Sequence, residues 1–209
     1  MTNTTSEIFR LINIHTDQNI KVTVSFLEIY NETIRDLIVK TPDTLDLRED
    51  PKEGSIVAGL SEHVVQSSDE ILELLLLGNK NRIQEVTLAN KTSSRSHAVF
   101  RIKVENTNNS NMQKKVGMLS LIDLAGSERA ASTGNRGIRM VEGANINKSL
   151  LALGNCINML YENSIKAKRG HIPFRDSKLT RLLKNSLGGN CRTVMIANVS
   201  PFASHYDET

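Results

Sequence analysis

The chain contains no tryptophan, two cysteines and four prolines, and aromatic side chains make up only 4% of its 209 residues. So few rings, not interleaved with the basic positions, exclude the base-stacking platform of a single-strand nucleic-acid binder. Cys156 and Cys191 lie in apolar surroundings without C-x-x-C spacing, so the sequence predicts buried free thiols, not a disulfide framework or a zinc site. No apolar run approaches the roughly 20 residues that a membrane helix needs. The segment Met1 to Glu7 is polar where a secretory signal would be basic and then apolar. A soluble, reducing, intracellular setting is expected. Charge of one sign is also lacking: 26 Lys and Arg against 23 Asp and Glu leave a net +3, so any binding of a polyanion must come from local clustering. What is present, 39% hydrophobic residues over this length, suits one domain with a real core. No internal repeat, low-complexity tract or second domain is evident.

Lys21 to Ile29 reads as a strand through Val22, Val24, Phe26 and Ile29, with a short helical turn expected from Tyr30 to Ile38. Leu45 to Glu49 and Ser55 to Leu60 flank a Pro/Gly turn and predict a small hairpin. Ser67-Ser68-Asp69-Glu70 has capping-box spacing, so a helix should start there and stop at Gly78. Ala98 to Val104 alternates as a strand, Asn106 to Gln113 is a polar turn, and Val116 to Ile122 is an apolar strand ending at Asp123. From Gly143 to Tyr161, the positions Ile146, Leu150, Leu153, Ile157 and Leu160 form one helical stripe. A further helix is expected over Ser177 to Leu187, ended by Gly188-Gly189. Thr193 to Val199 reads as a strand buried on both faces. Strands alternating with helices predict an α/β layer fold with a central, partly parallel sheet.

Two segments carry candidate chemistry. Asp123-Leu124-Ala125-Gly126 places a carboxylate at a strand end with a glycine three residues on, which suits a Mg²⁺-bound water and a backbone N–H near a terminal phosphate. By itself a D-x-x-G tetrapeptide is usually a plain turn. Asn90 to His97 (NKTSSRSH) crowds hydroxyls, a guanidinium and an imidazole into a loop before a strand, where α/β folds contact ligands, although such loops are commonly just capped connections. Arg95 and Glu128 lie in the two separate loops and have opposite charge.

With these residues in place, the chain resembles the kinesin superfamily. Asn90 to His97 is similar to its N-x-x-S-S-R-S-H switch I and Leu121 to Glu128 (LIDLAGSE) to its switch II. Phe26 to Leu37 (FLEIYNETIRDL) resembles the strand and helix signature before them. Asn145 to Gly154 (NINKSLLALG) resembles the long switch II helix, and His171 to Pro201 the loop, helix and strand that follow. The motifs keep the family order over essentially the whole chain, and NKSLLALGNCINML with HIPFRDSKLTRLLK looks closest to the kinesin-8 class.

The resemblance implies a three-layer α/β/α P-loop NTPase motor fold with a central mixed sheet, and an ATP-dependent microtubule motor with Mg²⁺ as its metal. Asn90, Ser93, Ser94 and Gly126 would contact nucleotide, with Ser94 on Mg²⁺ and Asp123 reaching it through water. Arg95 and Glu128 would pair to close the switches, with Glu128 accepting a proton through water. Arg129, Arg139, Asn147, Lys148, Arg175, Lys178 and Arg181 would form the microtubule-facing surface, since tubulin is acidic. Without the resemblance, such a charge run is usually a solvated helix face. The implied setting is cytoplasm and cytoskeleton, including the spindle, with homodimerisation of the full-length protein and no nucleic-acid or membrane partner. No G-x-x-x-x-G-K-[ST] occurs in the sequence, and the resemblance implies that the family's phosphate-binding loop precedes this region and its last helix and neck linker follow it, so the motor fold is expected to be incomplete at both ends; the alternative function is a non-catalytic microtubule-binding module. A small GTPase fits poorly, because the Asn-Lys dipeptides read NKNR, NKTS and NKSL where N-K-x-D is required.

Overall fold

The computed structural model describes residues 2–14, 19–40, 44–51, 54–84, 95–108, 113–126, 138–166 and 169–203. These fall into two compact units. The first comprises residues 1–28, 34–45 and 59–124, and the second residues 29–33, 46–58 and 125–209.

The first unit is built on β1 (Asn19–Tyr30), whose residues from Val22 to Ile29 are all buried, as expected for a central strand covered on both faces. The sheet order is β2 (Thr33–Asp36), β1, β6 (His97–Thr107), β7 (Lys114–Asp123), with β5 (His63–Val65) also paired to β1. β5 runs antiparallel to β1 through Val22↔Val65, and β6 runs antiparallel to β7 from Ala98↔Asp123 to Thr107↔Lys114. Helices α1 (Thr2–Ile14) and α2 (Ser68–Gln84) cover the sheet with Ile8, Phe9, Ile12, Ile71, Leu74 and Leu75, packed on Val24, Phe26, Phe100 and Ile102. Phe26 and Phe100 meet edge to face with centroids 5.2 Å apart.

Several expectations are corrected here. The stretch after Tyr30 is not a helical turn. Asn31 and Glu32 take positive φ (49° and 59°) and reverse the chain into strand β2, where the β-branched Thr33 and Ile34 suit extended backbone. Helix α2 starts as predicted: Ser67 Oγ accepts from Glu70 N at 3.2 Å, while Glu70 Oε2 accepts from Gln66 N at 2.9 Å. It does not stop at Gly78. A Cβ at that position would lie 2.2 Å from Phe26 Cδ1, so Gly78 is a close-packing residue inside the helix and not its C-cap. Helix α1 was not anticipated, although Thr5, Ile8, Phe9 and Ile12 have helical spacing.

In the second unit, β3 (Asp46–Asp50) and β4 (Gly54–Ala58) form the expected hairpin with Asp46↔Ala58 and Asp50↔Gly54 in register. Helix α3 runs from Ile138 to Ile165, longer than predicted, and buries Ile146, Ser149, Ala152, Leu153 and Cys156. The buried face therefore centres on small residues, and the thiol of Cys156 is pushed up by burial and then by Asp176. The expected helix over Ser177 to Leu187 is two short ones, α4 (Lys178–Leu182) and α5 (Lys184–Gly188), meeting at Leu183. Ser177 and Thr180 form a reciprocal capping box at the start of α4, and Leu179, Leu182 and Leu183 are buried.

Thr193 to Val199 is the clearest reversal. It pairs with none of the described strands, and Val194 (84% exposed) and Ile196 (82% exposed) face solvent. An apolar β-branched run becomes a buried strand only where a neighbour offers its edge, and no described strand does so. Cys191, beside this run, is exposed and not buried; both thiols are free. No helix among the described residues is long and apolar enough to cross a membrane.

Candidate functional site

The antiparallel register sets the site. Pairing Ala98 with Asp123 brings the segment entering β6 beside the carboxylate that ends β7, although 25 positions separate them in sequence. Helix α2 delivers the third component in its last turn. Arg82 Nη1 donates to Asp123 Oδ2 at 2.8 Å, Arg82 Nε to Ser96 Oγ at 3.1 Å, and Arg82 Nη2 to the Ser96 carbonyl at 2.7 Å. One guanidinium thus joins the two loops that carry the candidate chemistry.

The pair is asymmetric. The Arg82 side chain is 7% exposed and that of Asp123 is 71% exposed. The buried cation is satisfied by a carboxylate and by Ser96, while the carboxylate keeps a solvent-facing side able to meet a ligand. His97, the next residue, is buried and held at a pKa of about 4, well below its usual 6.5, by burial first and then by the Arg82 cation, with Asp123 opposing. It is therefore a neutral imidazole at ordinary pH.

Arg82 was missed by sequence reasoning. The available signal was an arginine in the final turn of a helix that leads into a Ser/Thr-rich loop. Of the predicted nucleotide-site residues, Asp123 and Gly126 are described and Arg95 leads into β6, whereas Asn90, Ser93, Ser94 and Glu128 lie outside the described residues. Oxygen donors of this kind suit a hard divalent cation such as Mg²⁺, and the exposed Asp123 carboxylate is free of steric cover. Among the described residues no cluster of His, Cys, Asp and Glu forms a metal site of its own.

The predicted basic face lies in the second unit. Asn147 is half-buried and Lys148 exposed on α3; Arg139 is in the first turn of that helix, and Arg129 lies outside the described residues. Arg175 is exposed and pairs with Glu49 of β3 at 3.6 Å, a weak surface pair. Lys178 opens α4, and its backbone N–H donates to Glu32 Oε2 at 2.8 Å. Arg181 turns inward, with Nη2 donating to the Leu47 carbonyl at 3.4 Å, so it is as much a structural residue as a surface cation.

In the described residues a buried arginine joins Ser96, at the entry of β6, to Asp123, at the end of β7. The profile of the kinesin motor domain matches residues 1–209, and the chain belongs to that family. It is 52% identical to Kinesin-like protein 6 of Schizosaccharomyces pombe over 91% of this chain and 26% of that protein. It is 53% identical to KIP3 of Saccharomyces cerevisiae over 97% of this chain and 26% of that one. With KIF18A of Mus musculus it shares 53% identity over 97% of this chain and 23% of the relative. These relatives are of the kinesin-8 type.

Among solved structures, a KIF14 dimer with AMP-PNP on a microtubule superposes with a TM-score of 0.89 at 41% identity, covering all of this chain and 60% of that one. A fast kinesin gives the same TM-score of 0.89 at 40% identity, covering 100% of this chain and 58% of the other. The chain thus has the α/β kinesin fold in part, and spans about a quarter of its curated relatives.

Proposed function

We propose that the chain is part of an ATP-driven microtubule motor of the kinesin-8 type, in which hydrolysis of the terminal phosphate of ATP is coupled to microtubule binding, to movement and to loss of tubulin from microtubule ends. The observation that carries the reading is the Arg82 bridge from Ser96 to Asp123, because a switch that reports one phosphate needs its two loops held at one place. The names of the solved relatives, one holding AMP-PNP on a microtubule, support the same reading.

In this mechanism Arg82 orients the Asp123 carboxylate toward the nucleotide side, and Ser94 adds a hydroxyl. Ser94 directly and Asp123 through a water would hold Mg²⁺, which would supply positive charge against the phosphate oxygens. The Gly126 N–H reads the terminal phosphate, and Asn90 and Ser93 line it. Glu128 takes a proton from the attacking water through a second water, and Arg95 pairs with Glu128 to keep both loops closed. Contacts to the terminal phosphate exist in one nucleotide state only, so they bias the loops by their differential binding energy. Helix α3 relays that bias to Lys148, Arg175 and Lys178, which meet the acidic tubulin surface. The full-length protein would act as a homodimer on the cytoskeleton, including the spindle.

The test is phosphate release by the full-length protein with and without microtubules. Strong stimulation is expected, and its absence would leave the non-catalytic binding module as the better reading. Glu128→Ala should retain nucleotide and lose about 100-fold or more in hydrolysis. Normal turnover in that variant removes Glu128 from its role. Arg175→Ala and Lys178→Ala should weaken microtubule affinity most visibly at low salt.

A further inference from the structure

Asn31 and Glu32 are the non-glycine residues with positive φ among those described. Asparagine tolerates this backbone, but at the second position of such a two-residue turn glycine is the unstrained choice, and glutamate is not. Its side chain gives the reason. Glu32 Oε2 accepts the backbone N–H of Lys178 at 2.8 Å, across 146 positions of sequence. Helix α4 already has its own capping box from Ser177 and Thr180, so the carboxylate is an added long-range tether and not the cap that the helix requires. The neighbouring Asn31 Oδ1 accepts from Asn145 Nδ2 on α3, and Thr33 Oγ1 donates to the Tyr30 carbonyl and braces the turn.

Two adjacent residues of one strained turn therefore hold α3 and the entry of α4. All of these groups belong to the second unit, and the predicted microtubule-facing residues lie directly beside the tethers. Asn147 and Lys148 follow Asn145, and Lys178 is itself the tethered residue.

We infer that the Asn31–Glu32 turn is a positioning joint: it fixes the start of α4 against α3, and so sets the spacing of the basic groups offered to the microtubule. This rests on the microtubule-binding reading proposed above. The strain is retained because glycine would relax the turn and lose the carboxylate.

The experiment compares wild type, Glu32→Ala, Glu32→Gln, Glu32→Gly and Asn145→Ala in the full-length protein. Microtubule-stimulated phosphate release is measured against microtubule concentration, and amide exchange of residues 145–148 and 178–181 is measured without microtubules. The joint predicts that Glu32→Ala and Glu32→Gly raise the half-saturating microtubule concentration about fivefold to tenfold. Turnover without microtubules should stay within about twofold, and amide exchange at Lys178 should quicken about tenfold. Glu32→Gln keeps an acceptor oxygen and should return both readouts to within about twofold of wild type. Asn145→Ala should show a smaller loss of the same kind.

A turn residue with no further role would leave microtubule affinity intact in Glu32→Gly, and that result overturns the inference. Unchanged exchange at Lys178 in Glu32→Ala overturns the joint itself. Changed exchange with unchanged half-saturation overturns its coupling to the filament. A wild type that microtubules do not stimulate removes the motor reading and the coupling with it, while the exchange data still decide whether the joint exists. If Glu32→Ala fails to fold, Glu32→Gly and Asn145→Ala carry the same test.

Discussion

Strand β6 and the segment from Thr193 to Val199 look alike on paper, each a short run rich in β-branched and apolar residues, yet they end in opposite environments. Ile102 of β6 is 0% exposed and Ile196 is 82% exposed. β6 lies between β1 and β7, has every residue from Ala98 to Thr107 in register with β7, and sits under α1 and α2. The later segment has no described strand beside it. A strand is thus a property of a pair. Apolar content makes a run available for a sheet, and only a neighbour's unpaired N–H and C=O groups place it there.

The largest expected effect follows from that contrast. Ile102→Ala should cost about 2–5 kcal/mol in urea denaturation, since it opens a cavity among Phe26, Phe100 and Ile71. A cost below about 1 kcal/mol would mean that Ile102 is loosely packed.

Next in size is a pH effect confined to the β6 end of the molecule. Folding lowers the His97 pKa from 6.5 to about 4. Above pH 6.5 the imidazole is neutral folded or unfolded, and nothing is lost. As pH falls from 6.5 toward 4, the unfolded chain binds a proton that the folded chain refuses. Stability should drop by about 1.4 kcal/mol per pH unit, to about 3 kcal/mol in total. Thermal denaturation across that window checks it, and His97→Gln should flatten this part of the profile. A slope that survives the substitution assigns the titration to another group.

The smallest effect is expected at the exposed run. Ile196→Ala should change stability by no more than about 0.5 kcal/mol. A loss comparable with that of Ile102→Ala would break the comparison, because it would place Ile196 against a covering surface.

Much of the element order was legible. The hairpin β3–β4, the start of α2 at its capping box, and strands β1, β6 and β7 follow from local pattern, since caps and alternation are short-range signals, whereas of the stripe expected on α3 only Ile146 and Leu153 are buried. Gly78 misled because a glycine in a helical pattern has two meanings, end of helix or close approach, and only Phe26 on another element decides between them. The turn at Asn31 misled because Glu32 is a poor residue for its backbone, and the tether to Lys178 is remote in sequence. The candidate site was half legible: Asp123 could be named from its motif, whereas Arg82 stands in no motif.

The sequence by itself determined the family, much of the order of elements and which residues are chemically able to serve a phosphate switch, because these depend on residue identity and spacing along the chain. The tertiary structure alone decided that one guanidinium clasps Ser96 and Asp123, that a strained turn holds two helices, and that the last apolar run stays in solvent. The first two are contacts between residues far apart in sequence and the third is the lack of one, and such contacts form only where the folded sheet and helices bring complementary donors, acceptors and apolar faces together.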